Sequence, residues 1–256
     1  MPGHADTPAA SPAGVSLRLR LGQLGDYARV GDLPGLVDLA RRGLWSERRA
    51  LGISKELRPS GGAQTPEAKF PVRTASTADI ESILDPARGG DESADERWQR
   101  RLRRNVLATI GPEHCYVADL GGRGPSFMQY VFPEEDSELI EAELGDMGPW
   151  PAPGEAIVEY LYVPPDARSL PFLAGCMVQV AEAARARGIT ALITYTGVDE
   201  PGALMASQLA GYRAFSMCRT RFRLFQRETS CGPLPSDLSG VPIARRDPEG
   251  PGSARS

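Results

Sequence analysis

Apolar positions along the chain follow two different periods, and the changeover between them organises the sequence. In DLPGLVDLARRGLWSERRALG, Leu36, Leu39 (with Val37), Leu44 and Trp45 recur at spacings of three to five, with arginine clusters between them. That spacing predicts helix, with Asp32 as N-cap ahead of Pro34. Helical patterning on this reading runs from Ser16 to about Leu57. The stretch RPSGGAQTPEAKFP follows as a linker by composition. Beyond it, strand-like and helix-like segments alternate. Val72–Thr74 predicts a short strand, and Thr77 a cap for the helix ADIESIL. In DERWQRRLRRNVLATI (Asp95–Ile110), Trp98, Leu102 and Val106 recur every four residues, ringed by Arg97, Arg100, Arg101, Arg103 and Arg104. This is an amphipathic basic helix whose arginines read as a solvated face.

Cys115–Leu120 and Phe127–Phe132 predict paired strands joined across Gly121, Gly122 and Gly124. After the acidic PEEDSELIEAELGD comes a β-rich run, Glu155 to Val163, which predicts a central strand buried on both faces with Glu159 in its middle. A helix over 172–187 places Phe172, Cys176, Val180 and Ala184 on one face and stops at Gly188. The strand ITALITYT follows, then a helix through EPGALMASQLAG. In RTRFRLFQ, Arg219, Arg221 and Arg223 alternate with Thr220, Phe222 and Leu224, as in a strand with one wet, basic face. This order predicts an α/β or α+β layered domain around a central sheet. Residues 1–15 and 229–256, rich in Pro, Gly and small polar residues, read as disordered tails.

Composition removes several function classes. With 256 residues and a net charge of −4, the chain offers no global attraction to nucleic acid or to a membrane surface. No apolar run approaches the roughly 18 residues that cross a bilayer. The start, MPGHADTPAASPAG, lacks the basic and apolar regions of a signal peptide. A cytoplasmic location is expected. Cys115, Cys176, Cys218 and Cys231 have no C-x-x-C spacing, which argues against a disulfide framework or a zinc site. Since His4 lies in the tail, His114 is the one realistic histidine base or ligand, and a structural role is the commoner one for such a residue. No metal is expected.

The chemistry concentrates where the central strand runs through PPDARSLPFLAG into a helix. A strand, a turn and a helix N-terminus gather free backbone N–H groups and suit a phosphate. Here the stretch from Lys69 to Arg227 resembles the GNAT superfamily of acyl-CoA-dependent N-acyltransferases. PVRTASTADIESIL is similar to that family's opening strand and first helix. GEAIVEYLYVPPDARS is similar to its fourth strand and the entry to its CoA loop. QVAEAARARGITALITYTGVDEPGALMASQLAGYRAF resembles the helix, strand and helix that close its site. GLWSERRALGISKEL resembles a lead-in helix of some bacterial members.

The resemblance implies a GNAT-like mixed, mostly antiparallel sheet flanked by helices over 69–228, with a helical extension and linker over 16–68. It implies acetyl-CoA or another acyl-CoA as co-substrate, and a small-molecule or peptide amine as acceptor; the charge and hydropathy already argue against nucleic acid or membrane partners. In the family's Q/R-x-x-G-x-G/A loop, Arg168 fits the first position, but Pro171 and Leu173 replace the small residues. Proline donates no N–H, so the implied pyrophosphate cradle rests on Arg168, Ser169 and the N–H groups of Phe172, Leu173 and Ala174. The same residues also suit a plain helix start capped by Ser169.

By the same resemblance, the N–H groups of Leu161, Tyr162 and Val163 polarise a thioester carbonyl. Glu159 is the general base, or alternatively a buried carboxylate paired with a strand arginine such as Arg221. The positions of the family's Asn and Tyr hold Glu200 and Ser207, with Ser207 facing the departing sulfur. A second reading is a catalytically inactive module of this fold that binds or regulates a partner.

Overall fold

A computed structural model of the chain describes residues 45–57, 70–85, 110–122, 124–136, 151–223, 226–236 and 241–244, with single positions at 25, 28, 33, 36, 37, 40, 44, 88, 100, 103, 104, 107 and 108. Among the described residues eight strands form one sheet: β1 (Trp45–Glu56), β2 (Val72–Thr74), β3 (Cys115–Asp119), β4 (Pro125–Pro133), β5 (Glu155–Tyr162), β6 (Ala191–Gly197), β7 (Arg213–Arg223) and β8 (Gln226–Pro233). Their order is β2-β3-β4-β5-β6-β1-β7-β8. The β5–β6 pair is parallel, and its neighbours β4–β5 and β1–β6 are antiparallel. Helices α1 (Thr77–Ile83), α2 (Leu170–Ala186) and α3 (Pro201–Leu209) flank the sheet. Arg100, Arg103, Arg104, Leu107, Ala108 and Ile110 are also helical. The architecture is a mixed α+β fold with a mostly antiparallel sheet.

Each face of the sheet buries its own apolar cluster. On one side Phe172, Cys176, Val180 and Ala184 of α2 and Leu204 and Ala206 of α3 meet Leu51, Val131, Val158 and Leu192. On the other, Ile80, Ile83 and Leu84 meet Val117, Met128, Tyr130 and Ile157, with half-buried Leu107 and Ile110 against them. The four-residue spacing on α2 is thus the stripe a helix needs to lie on a sheet. As expected, β5 sits between β4 and β6 with Ala156, Ile157 and Val158 fully packed.

The structure corrects several expectations. Leu33, Leu36, Val37, Ala40 and Leu44 are helical, but Trp45–Glu56 is a strand, not the end of a helix. Leu51 and Ile53, two apart and both 0 % exposed, face inward as β1 inserts between β6 and β7. The arginines at 48 and 49 and the intervening Gly52 hide that period of two in the sequence. The segment assigned to a helical extension therefore supplies an interior strand of the sheet.

At the other end, β8 continues to Pro233, and Val241 and Ile243 pack on the core, so residues 229–236 and 241–244 are not a tail. Cys218 and Cys231 stand opposite each other in the β7–β8 register, with Cα atoms 4.1 Å apart, and are joined as a disulfide. The expectation against disulfides fails because spacing rules see motifs, not cross-strand register. The cap of α1 is Ser76 rather than Thr77: its hydroxyl accepts from Asp79 N–H while the Asp79 carboxylate accepts from Ser76 N–H. Residues 1–15, 58–69, 137–150 and 245–256, including the linker and most of the acidic stretch, lie outside the described residues.

Among the described residues no helix is long and apolar enough to cross a membrane.

Candidate functional site

The two central strands part at their C-terminal ends. β5 and β6 pair from Glu155 opposite Ala191 to Ile157 opposite Ile193 and no further. On its other edge β5 bulges: Glu159 faces Tyr130 and Tyr162 faces Met128, so Tyr160 and Leu161 together oppose Gln129. Tyr160 has φ 55°, the only positive φ at a non-glycine among the described residues. A bulky residue in this region costs about 1–3 kcal/mol, so the surroundings must hold it there. Its ring is fixed edge-on against Tyr130 and Phe132, at 6.0 and 6.2 Å. Across from the bulge, Gln129 is 2 % exposed and its Oε1 has no hydrogen-bond partner.

Glu159 lies where the strands separate. Thr194 Oγ1 donates to its Oε1 at 3.5 Å, and the backbone N–H groups of Tyr195 and Tyr160 also bond it. Its carboxyl therefore bridges the gap between β5 and β6. Burial pushes it up to about 7, against the lowering pull of those donors and of the Arg103 charge. Arg221, the strand arginine considered as its partner, pairs instead with Glu47 at 3.2 Å.

Sequence reasoning missed Arg103. Read as part of a solvated face, it reaches the bulge instead. Its Nη2 donates to Leu161 O at 2.6 Å and its Nε to Tyr160 O at 3.4 Å, and the guanidinium lies 5.0 Å over the Tyr162 ring. Arg100 is also buried, at 8 % exposure. Helical periodicity marks which face is apolar, but a long arginine side chain can reach a polar backbone cleft from the edge of that face. Burial draws the Arg103 guanidinium down to about 10, so it stays charged at neutral pH.

At the phosphate-loop candidate, α2 begins at Leu170 with Ser169 in the N-cap position, and the Ser169 side chain makes no cap bond. Leu173 N–H donates to Ser169 O at 3.0 Å, the first bond of the helix. Of the three N–H groups expected to face a phosphate, that of Leu173 is thus engaged and Ala174 lies a residue deeper, at 7 % exposure. Phe172 N–H remains in the open first turn with that of Leu170, on either side of Pro171. The Phe172 ring turns into the core, edge-on to Phe70 at 5.0 Å, and does not plug the loop. Arg168 is exposed and its Nε donates to Val163 O at 3.3 Å. Arg88 ties the preceding turn down, bonding Pro125 O, Ser126 Oγ at 3.3 Å and Asp166 at 3.4 Å.

The remaining candidates fall on α3 and in the core. Ser207 is 3 % exposed and its hydroxyl donates to Ala203 O at 2.9 Å, within its own helix. Glu200 occupies the N-cap position of α3 without a side-chain cap bond, and desolvation and then Asp199 hold its carboxyl above the usual range. Burial pushes the thiols of Cys115 and Cys176 up to about 12, which leaves them as inert core groups. His114 Nδ1 sits 3.2 Å from Asp136, with its ring stacked on Phe132.

No family model matches the chain, and no curated protein matches it. Among solved structures, it is similar to a GCN5-related glucosamine N-acetyltransferase region of a fungal multi-domain GH3 β-N-acetylglucosaminidase, at 10 % identity over 72 % of this chain and 22 % of that one, with a TM-score of 0.49. A GNAT-family acetyltransferase from Colwellia psychrerythraea matches at 12 % identity, 73 % of this chain, 60 % of that one and a TM-score of 0.46. A GCN5-related N-acetyltransferase from Sphaerobacter thermophilus gives 14 %, 74 %, 57 % and 0.40. The chain spans less than two thirds of the length of each.

Proposed function

We propose that the chain is an acyl-CoA-dependent N-acyltransferase acting on a primary amine of a small molecule or peptide. The observation that carries this reading is Glu159, a half-buried residue whose carboxyl is pushed up to about 7 where β5 and β6 part. A carboxylate with that proton affinity takes up a proton near neutrality, as a base for an attacking amine must. Bound acyl-CoA would supply an activated thioester, and several groups suit it. Arg168, the N–H groups of Leu170 and Phe172, and the positive end of α2 fit a pyrophosphate. The orphaned Gln129 Oε1 opposite the bulge fits an amide N–H.

The N–H groups of Leu161, Tyr162 and Val163 would polarise the thioester carbonyl. As the new C–N bond replaces the C–S bond, Glu159 takes the proton shed by nitrogen. Ser207, its hydroxyl held by Ala203, has no part in this scheme, and solvent protonates the sulfur.

One observation favours the second reading, an inactive binding or regulatory module. Pro171 and the engaged Leu173 leave the first turn of α2 with fewer free donors than a glycine-rich loop. Thiol release from acetyl-CoA in the presence of a panel of primary amines separates the two. Amine-dependent release, lowered about 100-fold or more in Glu159→Gln, supports the enzyme. Binding of acetyl-CoA without release for any amine supports the module.

A further inference from the structure

The geometry points to Arg103 as the positioning residue of the proposed reaction: its guanidinium clamps the β5 bulge, and so aims the N–H groups that follow. The inference rests on the N-acyltransferase reading for its consequence, but the clamp itself stands on contacts in the fold. Two neighbouring carbonyls, those of Tyr160 and Leu161, accept from the same side chain at 3.4 and 2.6 Å. A trans peptide carries its C=O and the next N–H on opposite sides. Bonding those two carbonyls to Arg103 therefore turns the N–H groups of Leu161 and Tyr162 away from it.

The clamp acts where the backbone most needs one. The two residues concerned are the pair that opposes the single Gln129 in the bulge, and Tyr160 is held at φ 55°. Left to itself such a residue relaxes toward negative φ, which would swing both carbonyls and both N–H groups. A planar fork suits the task, since it holds two acceptors at once where an ammonium acts as a point charge. The Tyr162 ring beneath the guanidinium, at 5.0 Å, fixes the fork's plane. Because the cation comes from a different element, it couples the basic helix to the strand parting.

The same charge faces Glu159. Around them stand Tyr160 and Tyr162 from β5, Thr194 and Tyr195 from β6, and Glu200 from the start of α3. Among the described residues, Arg103 is the cation that bears on Glu159, so removing it raises the proton affinity of that carboxyl.

The test compares the full-length protein with Arg103→Met and Arg103→Lys. Backbone amide exchange is followed at Leu161 and Tyr162, with the β1–β7 ladder as internal reference for an intact fold. The Glu159 carboxyl is titrated by carbon-13 NMR, its signal assigned with Glu159→Gln. In Arg103→Met, the two amides exchange about tenfold faster or more while the reference ladder is unchanged, and the Glu159 midpoint moves up. In Arg103→Lys, which keeps charge without the fork, exchange still rises while the midpoint stays near that of the unmodified protein.

Unchanged exchange at the two amides in folded Arg103→Met overturns the proposal, whatever the activity. Should Arg103→Met fail to fold, unchanged exchange in Arg103→Lys does so. If the unmodified protein fails to bind acetyl-CoA, the N-acyltransferase reading falls, while amide exchange still reports on the clamp.

Discussion

Thr194 Oγ1 lies 3.5 Å from Glu159 Oε1 and joins the two central strands where their backbone pairing has stopped. A polar bridge there keeps the parting narrow without closing it, and makes the protonation of one carboxyl matter to the fold.

The pH dependence of stability follows from its sign. Folding raises the Glu159 carboxyl to about 7, above its value in the unfolded chain, so the native state binds the proton more tightly. The stabilisation is full below the unfolded value and is lost as pH rises through about 7. A displacement of that size corresponds to ~3 kcal/mol. Glu159→Gln mimics the protonated form, so its stability relative to the unmodified protein increases between pH 5 and pH 8. Urea unfolding at the two pH values measures this, and a difference that does not change with pH contradicts the assignment.

Gly52 of β1 faces Ser216 of β7 where the ladder shifts register. A methyl group on Gly52 would stand 2.2 Å from Ser216 Oγ, 3.1 Å from the Phe215 ring and 3.2 Å from that of Tyr195. Gly52→Ala is therefore expected to destabilise by ~1–3 kcal/mol. Ser216→Ala removes a buried hydroxyl without a partner and should be close to neutral. The double variant should recover part of the Gly52→Ala loss, and strict additivity in unfolding free energies would contradict the contact.

The Cys218–Cys231 bridge closes a hairpin over a sequence separation of 13. Chain-entropy reasoning puts its contribution at about 2–3 kcal/mol. Reduction should lower the stability of the unmodified protein by that amount and leave Cys231→Ser unaffected. Peptide mapping without reductant should recover the two cysteines in one linked fragment. Such a bond is normal in an oxidising compartment, which gives the mapping a bearing on where the protein works.

Ser207 donates its hydroxyl to Ala203 O inside α3. Ser207→Ala should accordingly leave amine-dependent thiol release within about threefold of the unmodified rate, since only one intrahelical bond is lost. A fall of about 100-fold would instead make it the proton donor to sulfur.

How legible the sequence was depended on the kind of signal each element carried. α2 announced itself because Phe172, Cys176, Val180 and Ala184 repeat at helical spacing and the Phe172 and Val180 side chains are nearly fully buried. β5 was equally clear, being buried on both sides through Ala156, Ile157 and Val158. β1 was misread because only Leu51 and Ile53 show its alternation, after exposed Leu44 and Trp45 had suggested a helix.

Glu159 stood out at the site as an acid inside an apolar strand. The bulge beside it was invisible, since Tyr160 is an ordinary residue for a strand and only the register with β4 shows that it is extra. Arg103 was hidden for a related reason. A window of one helix cannot show which carbonyls of another strand lie within reach of its arginines.

Calorimetric titration of acetyl-CoA into the purified protein, with Arg168→Glu as control, tests the central claim most directly. The account predicts micromolar binding that the Arg168→Glu protein loses, because the start of α2 and Arg168 together hold the anionic end of the molecule. The absence of heat at millimolar acetyl-CoA would contradict it, as would binding that is indifferent to Arg168→Glu.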